Sequence, residues 1–307
     1  MRAAEVTEGP QRLTLGGTPA DCWDLAGVTG LVRSRLAGDE PPALTGGGAV
    51  GEGPGPGSEV GAVGEGPGPG GEVGAAGSGP GPGGARPLVV ASTNVDHLHH
   101  FGRGGAHAGV IERAERDADW LLLLDGMPLV VRANGLTGRE WERLTGADLL
   151  PDLLTVAAET GARVAFLGGL ESTHRLLAPE IERRWPTLSV VAYWAPDRAE
   201  LSSPAGASAL AEKVRAAGVD LLVVGLGKPR QEAWLAEYAG ASGIRVGLAV
   251  GAAADFLAGI VDRAPDWWRD HGLEWCYRLI QEPRRLARRY LLQGPRAVWR
   301  LVRHSAR

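Results

Sequence analysis

Four consecutive leucines, Leu121 to Leu124, follow Asp119-Trp120 and run directly into Asp125-Gly126-Met127-Pro128. So short an apolar run, closed by a Gly/Pro turn signal, predicts a strand buried on both faces, as in a parallel sheet between two helix layers. The abrupt polarity at its end carries a second message. Ligands of open α/β sheets bind outside the carboxyl ends of the strands, so Asp125 and Gly126 stand where chemistry is expected. A helix-capping or turn-opening Asp125 accounts for the same residues, because Asp is favoured in both places.

The same unit recurs along the chain. Apolar runs at 87–91, 163–167, 188–193, 220–224 and 244–250 alternate with stretches of helical period. That alternation predicts βαβ units and a Rossmann-like, doubly wound, mostly parallel sheet with helices on both faces. Residues 11–15 add a short strand, and 20–36 an amphipathic helix with Trp23, Leu25, Val28, Leu31, Val32 and Leu36 on its apolar side. Residues 11–40 are therefore assigned to the α/β domain as its N-terminal strand and helix, and 87–265 as the rest of it. Between them, 41–86 form an insertion in which a thirteen-residue Gly/Pro-rich unit repeats from Gly48, Gly61 and Gly74. The period fits neither a solenoid nor collagen, and the composition predicts disorder.

Two cysteines far apart, Cys22 and Cys276, match no ligand spacing and suit a reducing compartment. No apolar run reaches eighteen residues and no signal-peptide core stands at the N-terminus, so a cytoplasmic protein is expected. Charge is unevenly placed. From Pro283 onward there are eight arginines and no acid, so the net charge of −4 leaves −12 for the rest. Residues 266–307 are thus a basic C-terminal helical appendage, with Leu286, Leu291, Leu292, Trp299 and Val302 interleaved among the arginines and a break near Gly294-Pro295. Such a helix suits an anionic membrane surface; packing on the body or a solvated basic tail accounts for it too, and nothing else argues for nucleic acid.

The polar residues after each strand are Ser92 and Asn94, Asp125-Gly126, Gly168-Gly169, Gly225-Leu226-Gly227-Lys228 with Gln231, and Gly251 with Asp255. Glycine turns that lead into helix N-termini suit a phosphate or diphosphate, since free N–H groups and the helix dipole face it; each turn alone is equally a tight βα connection. Several in one sheet favour a nucleotide or nucleotide-sugar site. The dinucleotide fingerprint is incomplete, because Gly225-Leu226-Gly227 lacks its third glycine. Asp117-Ala118-Asp119 spells a DxD metal pattern but precedes its strand, at the wrong edge. His97, His99, His100 and His107 lack zinc spacing, and are expected to be solvated on a helix face.

Taken together, Asn94, Asp125-Gly126, the run Arg143 to Leu149, Phe166 to Gly169, Gly225 to Glu232, Asp255 to Gly259, Arg263-Ala264-Pro265, and Gly272 to Leu279 with Glu282-Pro283 resemble the WecG/TagA/CpsF glycosyltransferase family (glycosyltransferase family 26). The resemblance runs from about Pro87 to Tyr290. It implies transfer of a sugar, often N-acetylmannosamine or its uronic acid, from a UDP-sugar to a polyprenyl-diphosphate-linked acceptor, with inversion and no metal or other cofactor. By it Asp125 corresponds to the general base; Asn94 and Ser92 line the same site; Arg143, Gln231 and Asp255 match positions tied to donor binding or activity. The appendage, with Arg278, Arg285, Arg288 and Arg289, would cover the site, meet the lipid diphosphate and hold the protein at the inner face of the membrane. Ser92 stands where the family usually has Thr, and Ala252-Ala253-Ala254 replaces the usual Gly-Ser-Phe.

The chemistry read from the residues agrees. Displacement at an anomeric carbon needs one carboxylate to take the acceptor proton, here Asp125, and cations or N–H groups for the departing diphosphate, here Arg143, Lys228 and the glycine turns including Gly126. A non-catalytic nucleotide-sugar-binding protein and an NAD-dependent oxidoreductase are the rival readings. Oligomeric state is left open.

Overall fold

The computed structural model describes residues 10–39, 86–261, 264–265, 267–268 and 273–307. The Gly/Pro repeats fall outside this set except for Arg86, as do Arg263, Gly272 and the side chain of Arg285.

The leucine run forms strand β4 (Asp119–Leu124), and its neighbours in the sequence form β3 (Leu88–Thr93), β5 (Arg163–Gly168), β6 (Ser189–Trp194), β7 (Leu221–Gly225) and β8 (Val246–Ala249). With β1 (Gln11–Leu15) and β2 (Thr18–Cys22) they make one eight-stranded sheet in the order β1-β2-β4-β3-β8-β7-β5-β6. Only β1 runs antiparallel to its neighbour. Alternate residues of β3, β4 and β7 face opposite helix layers. Leu88, Val90, Leu121, Leu123, Leu221 and Val223 pack towards helices α1 (Leu25–Ala37) and α5 (Gly146–Thr160). Val89, Ala91, Trp120, Leu122, Leu222 and Val224 pack towards α3 (Val110–Ala114), α8 (Pro204–Ala216) and α9 (Arg230–Tyr238). Period two with both faces covered is what makes the runs continuously apolar, and each buried leucine contributes about 1.5–3 kcal/mol.

The N-terminal segment departs from its expected layout. Residues 18–22 are a strand, not the first turn of a helix, and α1 begins at Leu25, capped by Asp24, whose carboxylate accepts from the Gly27 N–H at 2.6 Å. Gly16 and Gly17, at φ of 63° and 84°, make the two-residue hairpin turn that joins β1 to β2. Asp21, 2% exposed, then ties the hairpin to β4: it accepts from Arg12 Nε at 2.6 Å and from the Leu122 N–H at 2.7 Å.

The remaining helices sit along the chain as α2 (Val95–Phe101), α4 (Met127–Thr137), α6 (Glu171–Arg184), α7 (Arg198–Ser202) and α10 (Ala253–Leu257). The appendage comprises α11 (Glu274–Gln281), α12 (Pro283–Ala287) and α13 (Gly294–Arg303). No break occurs at Gly294-Pro295. A π-helical stretch, Arg288–Gln293, carries α12 into α13, with the Gly294 N–H reaching back five residues to the Arg289 carbonyl. Ala297 and Leu301 of α13 pack with Leu13, Leu15, Leu98 and Leu129, and the chain end bridges β1 through paired Thr14 and Ala306 hydrogen bonds of 2.9 Å. The appendage is thereby laid across the carboxyl ends of β3 and β4. Among the described residues, no helix is long and apolar enough to cross a membrane.

Candidate active site

The polar ends of β3 and β4 are locked together by main-chain bonds. The Asp125 N–H donates to the Thr93 carbonyl at 3.0 Å, extending the ladder by one residue, and the Leu144 N–H donates to the Leu124 carbonyl at 2.8 Å. The second bond holds Arg143 beside the strand end. Asn94 makes two contacts from one amide: Oδ1 caps α2 by accepting from the His97 N–H at 3.1 Å, and Nδ2 donates to Asp125 Oδ2 at 2.9 Å. One carboxylate oxygen is thus fixed and the other left to the cavity. Asp125 does not cap the helix that follows it, since the N-cap position of α4 is Gly126 with no side-chain capping bond.

Above these residues lies a cavity of about 710 Å³ between the strand ends and the appendage. Its floor is Asn94, Asp125, Gly126 and Arg143; its roof is Trp275, Arg278, Arg289, Pro295, Val298 and Trp299. Charges bind roof to floor. Arg143 pairs with Glu274 at 3.1 Å, and Arg289 with Asp96 at 3.2 Å. Arg278 lies over the Phe256 ring at 5.4 Å. Arg288 points outward, exposed. The roof is otherwise apolar, and continues outside into exposed Leu291, Leu292, Trp299 and Val302.

A second, shallow cleft opens along the same sheet edge over β5, β7 and β8. Gly168, Gly169, Gly225, Gly251 and Asp255 line it. Gly168, at φ 100°, is required there: a Cβ would stand 2.7 Å from the Gly225 carbonyl carbon and oxygen. Asp255 accepts from the Thr173 hydroxyl at 3.1 Å, so the alanines at 252–254 leave this carboxylate anchored. His174 Nε2–H donates to the Gly168 carbonyl at 2.8 Å, and burial lowers its pKa.

The structure does not bring every expected residue to these openings. Ser92 is buried, Gly227 only shapes the turn into α9 at φ 74°, and Gln231 is fully buried with its amide nitrogen 3.2 Å from Glu232 Oε1. Lys228 turns inward to Glu232 and to the Ser92 carbonyl, the latter at 2.6 Å. His97 is likewise corrected: instead of being solvated it is 0% exposed and stacked on Phe101 at 4.6 Å between ring centroids. Burial, then the nearby Lys228 charge, pushes its pKa well down. Asp119 stands at the amino end of β4, paired with Arg35 and Arg86, away from the cavity. Sequence reasoning gave Asp96 and Glu274 no site role, and it read Trp275 and Trp299 only as part of the family run and of the basic helix, not as a roof over Asp125.

A family profile described as "Glycosyl transferase WecG/TagA/CpsF family" matches residues 83–307. The chain belongs to that family. As a WecG/TagA/CpsF protein it is a glycosyltransferase of cell-surface polysaccharide synthesis. The match takes in both openings and the whole appendage, so the roof over Asp125 falls within the family's extent.

Proposed function

We propose that this glycosyltransferase moves a hexose, N-acetylmannosamine or a close relative, from a UDP-sugar to a hydroxyl on a polyprenyl-diphosphate-linked acceptor, with inversion. The observation that carries the reading is Asp125: a carboxylate at a strand end, one oxygen held by Asn94, facing a cavity with an apolar and basic roof. Asp125 takes the proton of the acceptor hydroxyl as its oxygen attacks the anomeric carbon. The bond to the UDP oxygen breaks on the opposite side, and its electron pair leaves with the diphosphate. Arg143 and Arg278 and the N–H groups at Gly168-Gly169 and Gly225 meet the charge that develops there. A single displacement inverts the sugar, and no second carboxylate acts as an acid because UDP is already a good leaving group. The charge on the leaving group is met by protein groups, so the reaction is expected to run without a metal cofactor.

The roof supports the acceptor and its setting. Diphosphate meets Arg278 and Arg289, with outward-pointing Arg288 left to lipid headgroups, while the prenyl chain follows the apolar residues outward to Leu291, Leu292 and Val302, exposed at 60%, 66% and 66%. Basic residues beside exposed aliphatic ones suit an anionic leaflet, which supports a peripheral position at the inner face of the membrane. The test supplies UDP-N-acetylmannosamine and a short-chain lipid-diphosphate N-acetylglucosamine, in buffer with and without EDTA. Acceptor-dependent UDP release, an inverted anomer by NMR and indifference to EDTA are expected. A retained anomer, or release that ignores the acceptor, would overturn the reading.

A further inference from the structure

The inward turn of Lys228 assigns it a different task from the one its sequence position suggests. Residues of β3 point their main-chain groups alternately to its two neighbours: Leu88 donates to Arg245 on the β8 side, and Thr93 accepts from Asp125 on the β4 side. Ser92 therefore faces β8. Pairing between β3 and β8 stops at Ala91 and Ala249, and the chain then turns away at Gly251, φ 60°. The Ser92 carbonyl is thus the first on that side with no ladder partner. Lys228 Nζ fills the place at 2.6 Å, and its charge is matched by Glu232, 0% exposed, one helical turn further on. His97, buried beside this pair, is held neutral and adds no opposing charge.

We infer that Lys228 is a positioning residue, which clamps the end of β3 through the Ser92 carbonyl and so sets Asn94 and, through its amide, the Asp125 carboxylate. Asn94 lies two positions beyond the clamped carbonyl, with only Thr93 between, and Glu232 keeps the ammonium charged and aimed. The β7–α9 turn therefore reaches past β8 to hold the strand that carries the reactive pair. Lys228 does not meet the donor diphosphate.

This inference rests on the transferase reading above, and the experiment separates the two. Lys228→Met, Glu232→Gln and the double variant are compared with the unmodified protein for kcat, donor KM, melting temperature and hydrogen exchange of the 92–97 segment. Lys228→Met leaves a buried carboxylate unmatched, so it melts lower; its kcat falls at least tenfold with donor KM within about twofold. The double variant recovers melting temperature, because the stranded carboxylate is gone, yet keeps the low kcat and the faster exchange at 92–97, because no ammonium holds Ser92. Recovery of kcat together with stability overturns the inference in favour of a merely structural ion pair. A tenfold rise in donor KM in Lys228→Met, steeper at low salt, overturns it in favour of a diphosphate contact. Should the unmodified protein transfer no sugar, the transferase reading fails alone, and exchange still decides: selective loosening of 92–97 in both lysine variants supports the clamp, and unchanged exchange overturns it.

Discussion

Asn94→Asp isolates what the Asn94 amide does for Asp125. The replacement keeps the cap on α2, since Asp accepts from the His97 N–H as well as Asn does, so the cap itself contributes less than about 0.5 kcal/mol to any change in stability. It replaces the 2.9 Å donor to Asp125 Oδ2 with a second carboxylate. Two such charges about 4 Å apart repel by about 4 kcal/mol at an effective dielectric near 20. Both residues are half-buried, and solvent cuts this by half or more. What remains moves the acid limb of the rate profile upward by about one to two pH units, at about 1.4 kcal/mol per unit. The assay is initial-rate UDP release across pH 5–9, with melting temperature alongside. Asn94→Ser, which keeps a capping hydroxyl but cannot reach Asp125 as a donor, should lower the rate about tenfold or more without moving the limb. An Asn94→Asp profile that drops uniformly, with no displacement along the pH axis, would refute the reasoning that Asn94 acts on a reacting carboxylate.

Three further outcomes follow from the packing. Gly168→Ala forces a Cβ to within 2.7 Å of the Gly225 backbone at φ 100°, and should cost about 1–3 kcal/mol, read as a fall of several degrees in melting temperature. Leu301→Ala removes a side chain only 3% exposed where α13 meets β1 and α2, weakening the roof by about 2–5 kcal/mol; exchange should quicken in 273–307 before it does in the sheet. His97 is held neutral by burial, so the unfolded chain binds the extra proton below its ordinary pKa of 6.5; stability from this residue is intact above that pH and falls by up to about 1.4 kcal/mol per unit below it. His97→Gln should flatten that slope in denaturant titrations at pH 5 and 7.

The sheet was readable because burial on both faces leaves a continuous apolar run, as at Leu121–Leu124, whose polar end marks the strand's edge. Asp125, Asn94 and Arg143 were readable for the same reason: each stands just past an element that fixes it. Three features were hidden by physics that a linear reading does not carry. The hairpin at Gly16-Gly17 was overlooked because Thr18 to Cys22 is short and its buried Asp21 is matched only by Arg12 in space. Lys228 looked like a phosphate ligand because its partner, the orphan Ser92 carbonyl, exists only where β8 stops short. His97 reads as solvated because histidine spacing says nothing about Phe101 stacking against it and the burial of both rings. The cavity roof depends on contacts between residues more than a hundred positions apart, such as Arg143 with Glu274 and Asp96 with Arg289.

The most direct test of the account is Asp125→Asn, which keeps size and a hydrogen-bonding side chain while removing the base. Single-turnover UDP release with the lipid-diphosphate acceptor is measured together with UDP binding. A rate lowered at least about a hundredfold, with UDP affinity within about twofold, is the predicted result. An unchanged rate, or a loss accounted for entirely by weaker UDP binding, would contradict the assignment of Asp125 as the group that takes the acceptor's proton.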